Sequence, residues 1–174
     1  MLSSRVLVGI LTLTALCQGG ILAARAAGES PRTPPVGIAV GDTIQAFQVA
    51  GATPVALTAR DGKWTVLMAF RSTCAWCDSV APQWSAWLAK PSSACVLGIT
   101  SDSPDSAAAY RDGKRWSLEL VPAPKQEPGT VESSLLSRTP WVYVLDDRGV
   151  VRYHGHGSNL PKVDSLLAAR GASR

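Results

Sequence analysis

The chain has 174 residues, a formal net charge of +4 at pH 7 and a hydrophobic fraction of 46%. This length suits a single domain with a substantial hydrophobic core. Lysine and arginine form no run and no patch interleaved with aromatic residues, so the composition argues against a nucleic-acid partner.

Residues 1–26 have the pattern of a secretory signal peptide. A short basic start precedes a mostly apolar run over residues 6–16, and residues 24–26 supply an Ala-x-Ala cleavage pattern. Cleavage before Ala27 would leave 148 residues with a net charge of +2, in the periplasm or another extracytoplasmic compartment. The alternative is an uncleaved N-terminal anchor, because interrupted apolar character continues to Ala27 and approaches the ~20 residues that span a bilayer. Contact with a membrane is expected only in that second case.

The next segments predict a linker and the start of one domain. Residues 27–36 are polar and proline-rich without apolar periodicity, which is typical of a flexible linker. The ordered domain is predicted over residues 37–172. Alternating apolar residues on both sides of the sequence GATP at residues 51–54 predict a β-hairpin. The continuous apolar run WTVLMAF at residues 64–70 indicates a strand that is buried on both faces, as in the middle of a parallel sheet.

The remaining elements alternate between helix and strand. Apolar residues after the first buried strand recur at helical spacing, and they place Trp84 and Trp87 in the core. Ser103 and Pro104 form an N-cap and first-turn pair that begins a second helix. This alternation predicts an α/β fold with a parallel core and an antiparallel hairpin at one edge. In chain order, the predicted elements are a helix ending before residue 91, a strand over 94–100, a helix over 103–111, a short strand in 117–122, a hairpin over 141–155 and a helix over 161–170.

Two cysteines three residues apart, Cys74 and Cys77, follow the first buried strand in the sequence FRSTCAWC. A helix begins close to Ala75, so Cys74 should lie at its N-terminus, where free N–H groups and the helix dipole favour a thiolate. Cys77 lies one turn further along the same face, within reach of a disulfide and deeper in the fold. This arrangement suits thiol–disulfide exchange, in which one sulfur attacks the substrate disulfide and the second resolves the mixed disulfide.

Other roles for these cysteines remain open at this stage. The pair could form a plain structural disulfide, although a bridge across two residues constrains the unfolded chain little. It could also bind copper together with His154 or His156, whereas the absence of a second Cys-x-x-C excludes a zinc ribbon. Cys95 lies inside a predicted buried strand and is interpreted as an inert small apolar residue. The prediction is no metal and no cofactor other than a redox-active disulfide between Cys74 and Cys77.

The sequence VLMAFRSTCAWCDSVAPQW at residues 66–84 resembles the active-site segment of thioredoxin-fold proteins. It joins a buried strand, a Cys-x-x-C that opens a helix, and Pro82, which stands where that family carries a helix-kinking proline. The sequence RTPWVYVLDDRGVVRYHGHG at residues 138–157 resembles the proline-containing hairpin of the exported TlpA/ResA-like branch. The resemblance covers roughly residues 40–167. It implies a thioredoxin-like three-layer α/β sandwich with a mixed central sheet and an N-terminal β-hairpin extension.

The resemblance also implies roles for residues outside the cysteine pair. Pro140 would be a cis-proline that faces the pair, and Thr139 would offer backbone hydrogen bonds to a bound substrate chain. Trp76 lies between the two cysteines and, with Trp141, is interpreted as an apolar platform for an extended polypeptide.

The sequence departs from thioredoxin at the residue expected to handle protons. Thioredoxin has a buried acid six residues before its first cysteine, where this chain has Met68. The proton acceptor for Cys77 therefore stays open between water, Glu119 and Glu132.

The leading hypothesis is an extracytoplasmic thiol:disulfide oxidoreductase that reduces disulfides in exported, cysteine-containing proteins. An upstream membrane electron donor would restore its dithiol. Three alternatives use the same fold: a copper-chaperone-like metal delivery protein, a peroxiredoxin-like peroxidase, and an accessory subunit that binds a partner protein without catalysis.

Overall fold

The computed structural model describes residues 37–49, 52–58, 62–127 and 129–172. The predicted signal peptide or anchor and the predicted linker, residues 1–36, lie outside this part of the chain. Within it, no helix combines the length and apolar character that crossing a bilayer requires.

An antiparallel hairpin opens the described domain. Strand β1 (Ala46–Val49) pairs with strand β2 (Ala52–Ala56). The hairpin is confirmed, but the predicted turn at residues 51–54 is wrong, because β2 already begins at Ala52 and contains Pro54. A proline is tolerated there because both strands of a two-stranded sheet are edges, where a missing N–H leaves no neighbour unpaired.

Five strands form the central sheet in the order β5-β4-β3-β6-β7. Strand β3 pairs parallel with β4, and β4 pairs parallel with β5, whereas β6 and β7 run antiparallel at the other side. All six residues of β3 are buried, which confirms the interpretation of its continuous apolar run. The strands are β3 (Thr65–Phe70), β4 (Cys95–Thr100), β5 (Glu119–Val121), β6 (Trp141–Leu145) and β7 (Val151–His156).

Three helices cover one face of the sheet. They are α1 (Ala75–Leu88), α2 (Pro104–Gly113) and α3 (Leu160–Ala172). The units β3-α1-β4 and β4-α2-β5 both step in the same direction across the sheet, so right-handed crossovers place both helices on the same face. The buried residues of α1 and α3 join Val66, Met68 and other side chains from that face of β3 and β6 in one apolar cluster, the helix-side core.

The hairpin and a 3₁₀ helix, Glu132–Leu136, cover the opposite face. A second apolar cluster there joins Phe47 of the hairpin, Leu135 of the 3₁₀ helix and alternate residues of β3 and β6, such as Leu67 and Tyr143. Helices, sheet and hairpin thus form the predicted three layers. The carboxyl end of β3 leads directly into α1, so the residues between them lie at one edge of the sheet.

Candidate active site

Cys74 is the N-cap residue of α1, as predicted from the sequence. Its backbone is extended, with φ −95° and ψ 110°, and its Sγ accepts a hydrogen bond from the Cys77 N–H at 3.3 Å. Its carbonyl oxygen accepts bonds from the N–H groups of Cys77 at 2.9 Å and Asp78 at 3.1 Å. The sulfur therefore lies where the first N–H groups of the helix converge.

The two thiols differ in exposure. Both are free cysteines, and Cys74 is partly exposed whereas Cys77 is fully buried in the helix-side core. This is the predicted arrangement of one accessible sulfur with its companion one turn deeper.

Electrostatics separate the two thiols further. Burial opposes ionisation of Cys74, but hydrogen bonds from Cys77, Thr139 and the Trp76 backbone outweigh it and hold the pKa of Cys74 below its ordinary value of 9.0. Burial raises the pKa of Cys77 to about 12, and its hydrogen bond to Cys74 adds to the shift. At neutral pH the first thiol is thus the readier nucleophile, and the second stays protonated.

The Thr139–Pro140 peptide bond is cis, as the resemblance implied. Thr139 lies 65 positions from Cys74 in the sequence, yet its carbonyl oxygen is 3.8 Å from the Cys74 Sγ and its Oγ1 is 3.9 Å from the same sulfur. The fold therefore places the residue before the cis-proline directly beside the accessible thiol. That position leaves its backbone next to any chain bound at the sulfur.

A hydrogen bond that the sequence interpretation missed fixes the loop before Cys74. Asp102 Oδ2 accepts the Ser72 N–H at 2.6 Å, across 30 residues of sequence. Asp102 follows β4, and β4 pairs in parallel with β3, so both loops leave the sheet at the same edge. An acid just after a buried parallel strand is the sequence signal that could have identified it, because such residues meet at the carboxyl ends of neighbouring strands.

Gly157 connects α1 to the cis-proline loop. Its carbonyl oxygen accepts the Trp84 Nε1–H at 2.7 Å, and its N–H donates to the Pro140 carbonyl at 3.1 Å. A Cβ on this residue would lie 2.7 Å from Trp84 Cζ2 and 3.0 Å from Pro140 Cβ. Glycine is therefore required by close packing here, and this contact was not predicted from the sequence.

Pro82 lies inside α1 on its exposed side, five residues after Cys77. As a proline it has no N–H to donate to the Asp78 carbonyl one turn earlier.

The two tryptophans near the thiols have different surroundings. Trp76 is 72% exposed at the start of α1. Trp141 is half-buried and packs with the cluster on the hairpin side of the sheet. Its ring lies under the Arg138 guanidinium at 5.1 Å and near the rings of His154 and His156. Among the described residues, the aromatic ring contacts do not join Trp76 to Trp141.

The position at which thioredoxin has a buried acid is apolar in this protein. Met68 is fully buried in the helix-side core, in the same cluster as Cys77. Of the two glutamates considered as proton acceptors, Glu132 begins the 3₁₀ helix on the other face of the sheet. Glu119 begins β5, which β4 separates from β3. Neither position is next to the thiols in the fold.

A polar group close to the pair was missed by sequence reasoning. The Tyr110 hydroxyl donates to Asp78 Oδ1 at 3.0 Å, and Lys114 Nζ lies 2.7 Å from the same oxygen. Burial raises the pKa of Tyr110, and its hydrogen bond to the charged Asp78 raises it further. Asp78 directly follows Cys77 in α1, so this polar network borders the cysteine pair.

The histidines considered as metal ligands contact other groups. His154 stacks beside Tyr143 with ring centroids 6.2 Å apart, and His156 Nδ1 is 2.9 Å from Ser158 Oγ. No cluster of three or more His, Cys, Asp or Glu side chains suited to a metal ion occurs in the described part of the chain. Cys95 begins β4 beside Thr65, at the end of the sheet away from Cys74.

Comparison with known proteins relates both the sequence and the fold to redox proteins. A family model described as the AhpC/TSA family matches residues 40–154. No curated protein sequence matches the chain significantly.

Three solved structures illustrate the similarity of fold. The thioredoxin domain of a thiol-disulfide oxidoreductase from Bacteroides vulgatus is 18% identical with a TM-score of 0.54, covering 75% of this chain and 99% of that one. A thiol:disulfide interchange protein from Bacteroides sp. is 17% identical with a TM-score of 0.55, covering 75% and 91%. A peroxiredoxin-like protein from Aquifex aeolicus is 12% identical with a TM-score of 0.56, covering 77% and 88%. These matches confirm the predicted thioredoxin-like fold.

Proposed function

The chain belongs to the AhpC/TSA family of thioredoxin-like redox proteins, and we propose that it is an extracytoplasmic thiol:disulfide oxidoreductase acting on exported proteins. The observation that carries the proposal is the contrast between its two thiols. Cys74 is accessible, caps a helix and has a lowered pKa, while Cys77 is buried one turn away with a raised pKa. This contrast separates an attacking sulfur from a resolving one.

The reaction begins with the Cys74 thiolate. It attacks one sulfur of a substrate disulfide, a mixed disulfide forms, and the other substrate sulfur leaves as a thiolate that takes a proton from water. Thr139 lies beside the attacked bond, and its backbone aligns the substrate chain. The hydrogen bonds that Cys74 receives at the helix N-terminus also make it a good leaving group in the next step.

Cys77 completes the reaction. It loses its proton to water and attacks Cys74 Sγ, so that the Cys74–Cys77 disulfide forms and the substrate leaves with its second thiol. Two electrons pass from the protein to the substrate. Because the pKa of Cys77 is about 12, deprotonation makes this the pH-sensitive step.

Location and direction are further parts of the proposal. The exported location is supported by the signal-peptide pattern of residues 1–26. The reducing direction and the upstream membrane electron donor are supported by the resemblance to the TlpA/ResA-like branch. The exported location is tested by fractionation of cells followed by N-terminal sequencing of the protein. We expect cleavage before Ala27. Full-length protein confined to the cytoplasm would contradict it.

The chemistry is tested by reduction of insulin disulfides in the presence of dithiothreitol. Cys74→Ser should abolish the catalysed rate, and Cys77→Ser should accumulate a mixed disulfide that mass spectrometry detects. Cys95→Ser is the matched control, since Cys95 lies at the far end of the sheet, and it should keep the wild-type rate. Full activity of Cys74→Ser would refute the proposal.

The direction is tested by the midpoint potential of the pair, measured by titration against glutathione or dithiothreitol. A value near thioredoxin's ~−270 mV indicates a reductant. A value near ~−120 mV indicates an oxidant and would overturn the proposed direction.

A second candidate is a peroxidase, which membership of the AhpC/TSA family favours. The Cys74 thiolate would attack a peroxide oxygen, giving a sulfenic acid and releasing water or an alcohol, and Cys77 would then condense with it to a disulfide and water. Stopped-flow measurement of tryptophan fluorescence with hydrogen peroxide separates the two functions. A fast reaction supports the peroxidase, and a rate no greater than that of free cysteine dismisses it.

A further inference from the structure

A cleft of about 370 Å³ opens next to the cis-proline loop, on the face of the sheet opposite α1. Its size lies at the lower end of the range of ligand-binding clefts. It runs from the start of the described domain across the end of the 3₁₀ helix to β6 and β7. Its lining includes Ile38, Ser137, Arg138, Trp141, Tyr143 and His154.

The charge of this cleft is positive. Arg138 is exposed, and its guanidinium carbon lies over the Trp141 ring, 5.1 Å from the ring centroid. A guanidinium in such a cation–π contact keeps N–H donors for a carboxylate, which it can bind with two parallel hydrogen bonds. Among the described residues, neither aspartate nor glutamate lines the cleft, and no ion pair includes Arg138. The described part of the cleft therefore offers a cation over an aromatic ring and no carboxylate.

The cleft lies within reach of the reactive thiol along a bound chain. Arg138 immediately precedes Thr139, whose carbonyl oxygen is 3.8 Å from Cys74 Sγ. An extended polypeptide advances about 3.3 Å per residue, so a chain with its cysteine at Cys74 reaches Arg138 within a few residues. The half-buried ring of Trp141, which also lines the cleft, would contact the aliphatic part of an acidic side chain bound there.

We infer that this cleft binds an aspartate or glutamate two to four residues from the reactive cysteine of the substrate. The inference rests on the proposed thiol:disulfide oxidoreductase function and adds a substrate class to it: exported polypeptides with an acidic residue near the cysteine. Arg138 is then a specificity-determining residue. It acts on substrate binding and leaves the chemistry of the two sulfurs unchanged.

The test uses three synthetic peptides that carry the same intramolecular disulfide. Each has two glutamates, two glutamines or two lysines placed two to four residues from its cysteines, and the full-length reduced protein is mixed with each in single-turnover experiments. We expect the glutamate peptide to be reduced about two- to fivefold faster than the glutamine peptide at low salt. This advantage should shrink at 0.5 M NaCl, because the ion pair is exposed.

Two variants assign the preference to the cleft. Arg138→Gln should remove the advantage of the glutamate peptide, through the concentration at half-maximal rate, so that the glutamate and glutamine peptides are reduced at similar rates. Arg138→Lys should keep a preference for glutamate. Lys90→Gln is the matched control, since it removes one exposed positive charge near the C-terminal end of α1, away from Cys74, and should change nothing.

The possible failures are distinguishable. If no peptide is reduced, the proposed oxidoreductase function fails. If all three peptides are reduced equally, or if Arg138→Gln keeps the full preference, the function stands and the acidic-substrate inference is overturned.

Discussion

Replacing Gly157 by alanine tests how the fold holds the cis-proline loop against the thiol. The added Cβ would lie 2.7 Å from Trp84 Cζ2 and 3.0 Å from Pro140 Cβ. Ordinary carbon contacts lie at about 3.5–4.0 Å, so the new methyl group overlaps the indole ring by roughly 0.8 Å. Trp84 is fully buried and its Nε1 is bound to the carbonyl of the same glycine, so the ring has little room to move.

We expect Gly157→Ala to destabilise the protein because the added methyl group overfills a closely packed site. Inserting a methyl group into a closely packed site typically costs about 1–3 kcal/mol, so Gly157→Ala should lower the free energy of unfolding by that amount. Of the two residues that the new methyl group would contact, we expect Pro140 to move more readily than the buried Trp84. Displacement of Pro140 would carry Thr139 away from Cys74. The pKa of Cys74 should then rise toward its ordinary value, because the Thr139 hydrogen bond contributes to its lowering.

Urea unfolding and the pH dependence of alkylation by iodoacetamide measure the two effects. Gly113→Ala is the control: Gly113 is the last residue of α2, and no heavy atom lies within 4 Å of the place its new methyl group would take. That variant should be neutral or stabilising by up to ~1 kcal/mol. If Gly157→Ala costs less than about 0.5 kcal/mol and leaves the alkylation profile unchanged, the packing argument is refuted.

Three further predictions concern the same site. Alkylation of Cys74 should reach half its maximal rate below pH 9.0, because a lowered pKa keeps the thiolate populated as pH falls, whereas Cys77 should stay protected until about pH 12; a midpoint at or above pH 9.0 would contradict this. Thr139→Val removes the hydroxyl that donates to Cys74, so the midpoint should rise by up to ~1 pH unit in the same assay. An unchanged midpoint would show that the hydroxyl does not act on the thiolate. Asp102→Ala leaves the Ser72 N–H without its charged acceptor and should cost about 1–3 kcal/mol in urea unfolding. A loss below ~0.5 kcal/mol would mean that water replaces the carboxylate.

Local features of the fold were predictable because they depend on neighbouring residues. The continuous apolar run of β3 predicted a fully buried strand, and all six of its residues are buried. The Ser103 side chain accepts from the Ser106 N–H, which is the capping bond expected where Pro104 begins a helix. The place of Cys74 at a helix N-terminus followed from the same short-range reasoning.

The predicted hairpin turn shows where local reasoning failed. The sequence GATP has strong turn propensity, yet Pro54 lies within β2. Val55 of β2 and Phe47 of its partner strand pack against the cluster on this face of the sheet, and such packing outweighs a local turn preference. Pro54 itself is exposed on an edge strand, where a proline is tolerated. Local propensity alone contains no information about which strand will be an edge.

The strands, the three α-helices and their order were predicted from the sequence, as was the position of the cysteine pair between a strand and a helix. The resemblance added the thioredoxin-like architecture, whereas the 3₁₀ helix Glu132–Leu136 was not predicted. The tertiary structure gave the contact between Thr139 and Cys74, which the resemblance had implied only through the neighbouring Pro140. It alone showed that Asp102 holds the loop at Ser72 and that a cleft opens beside Arg138. The physical reason is the range of the interactions. Burial patterns and helix caps act over a few residues, whereas these contacts join segments 30 or 65 residues apart and exist only once the sheet brings its strand ends together.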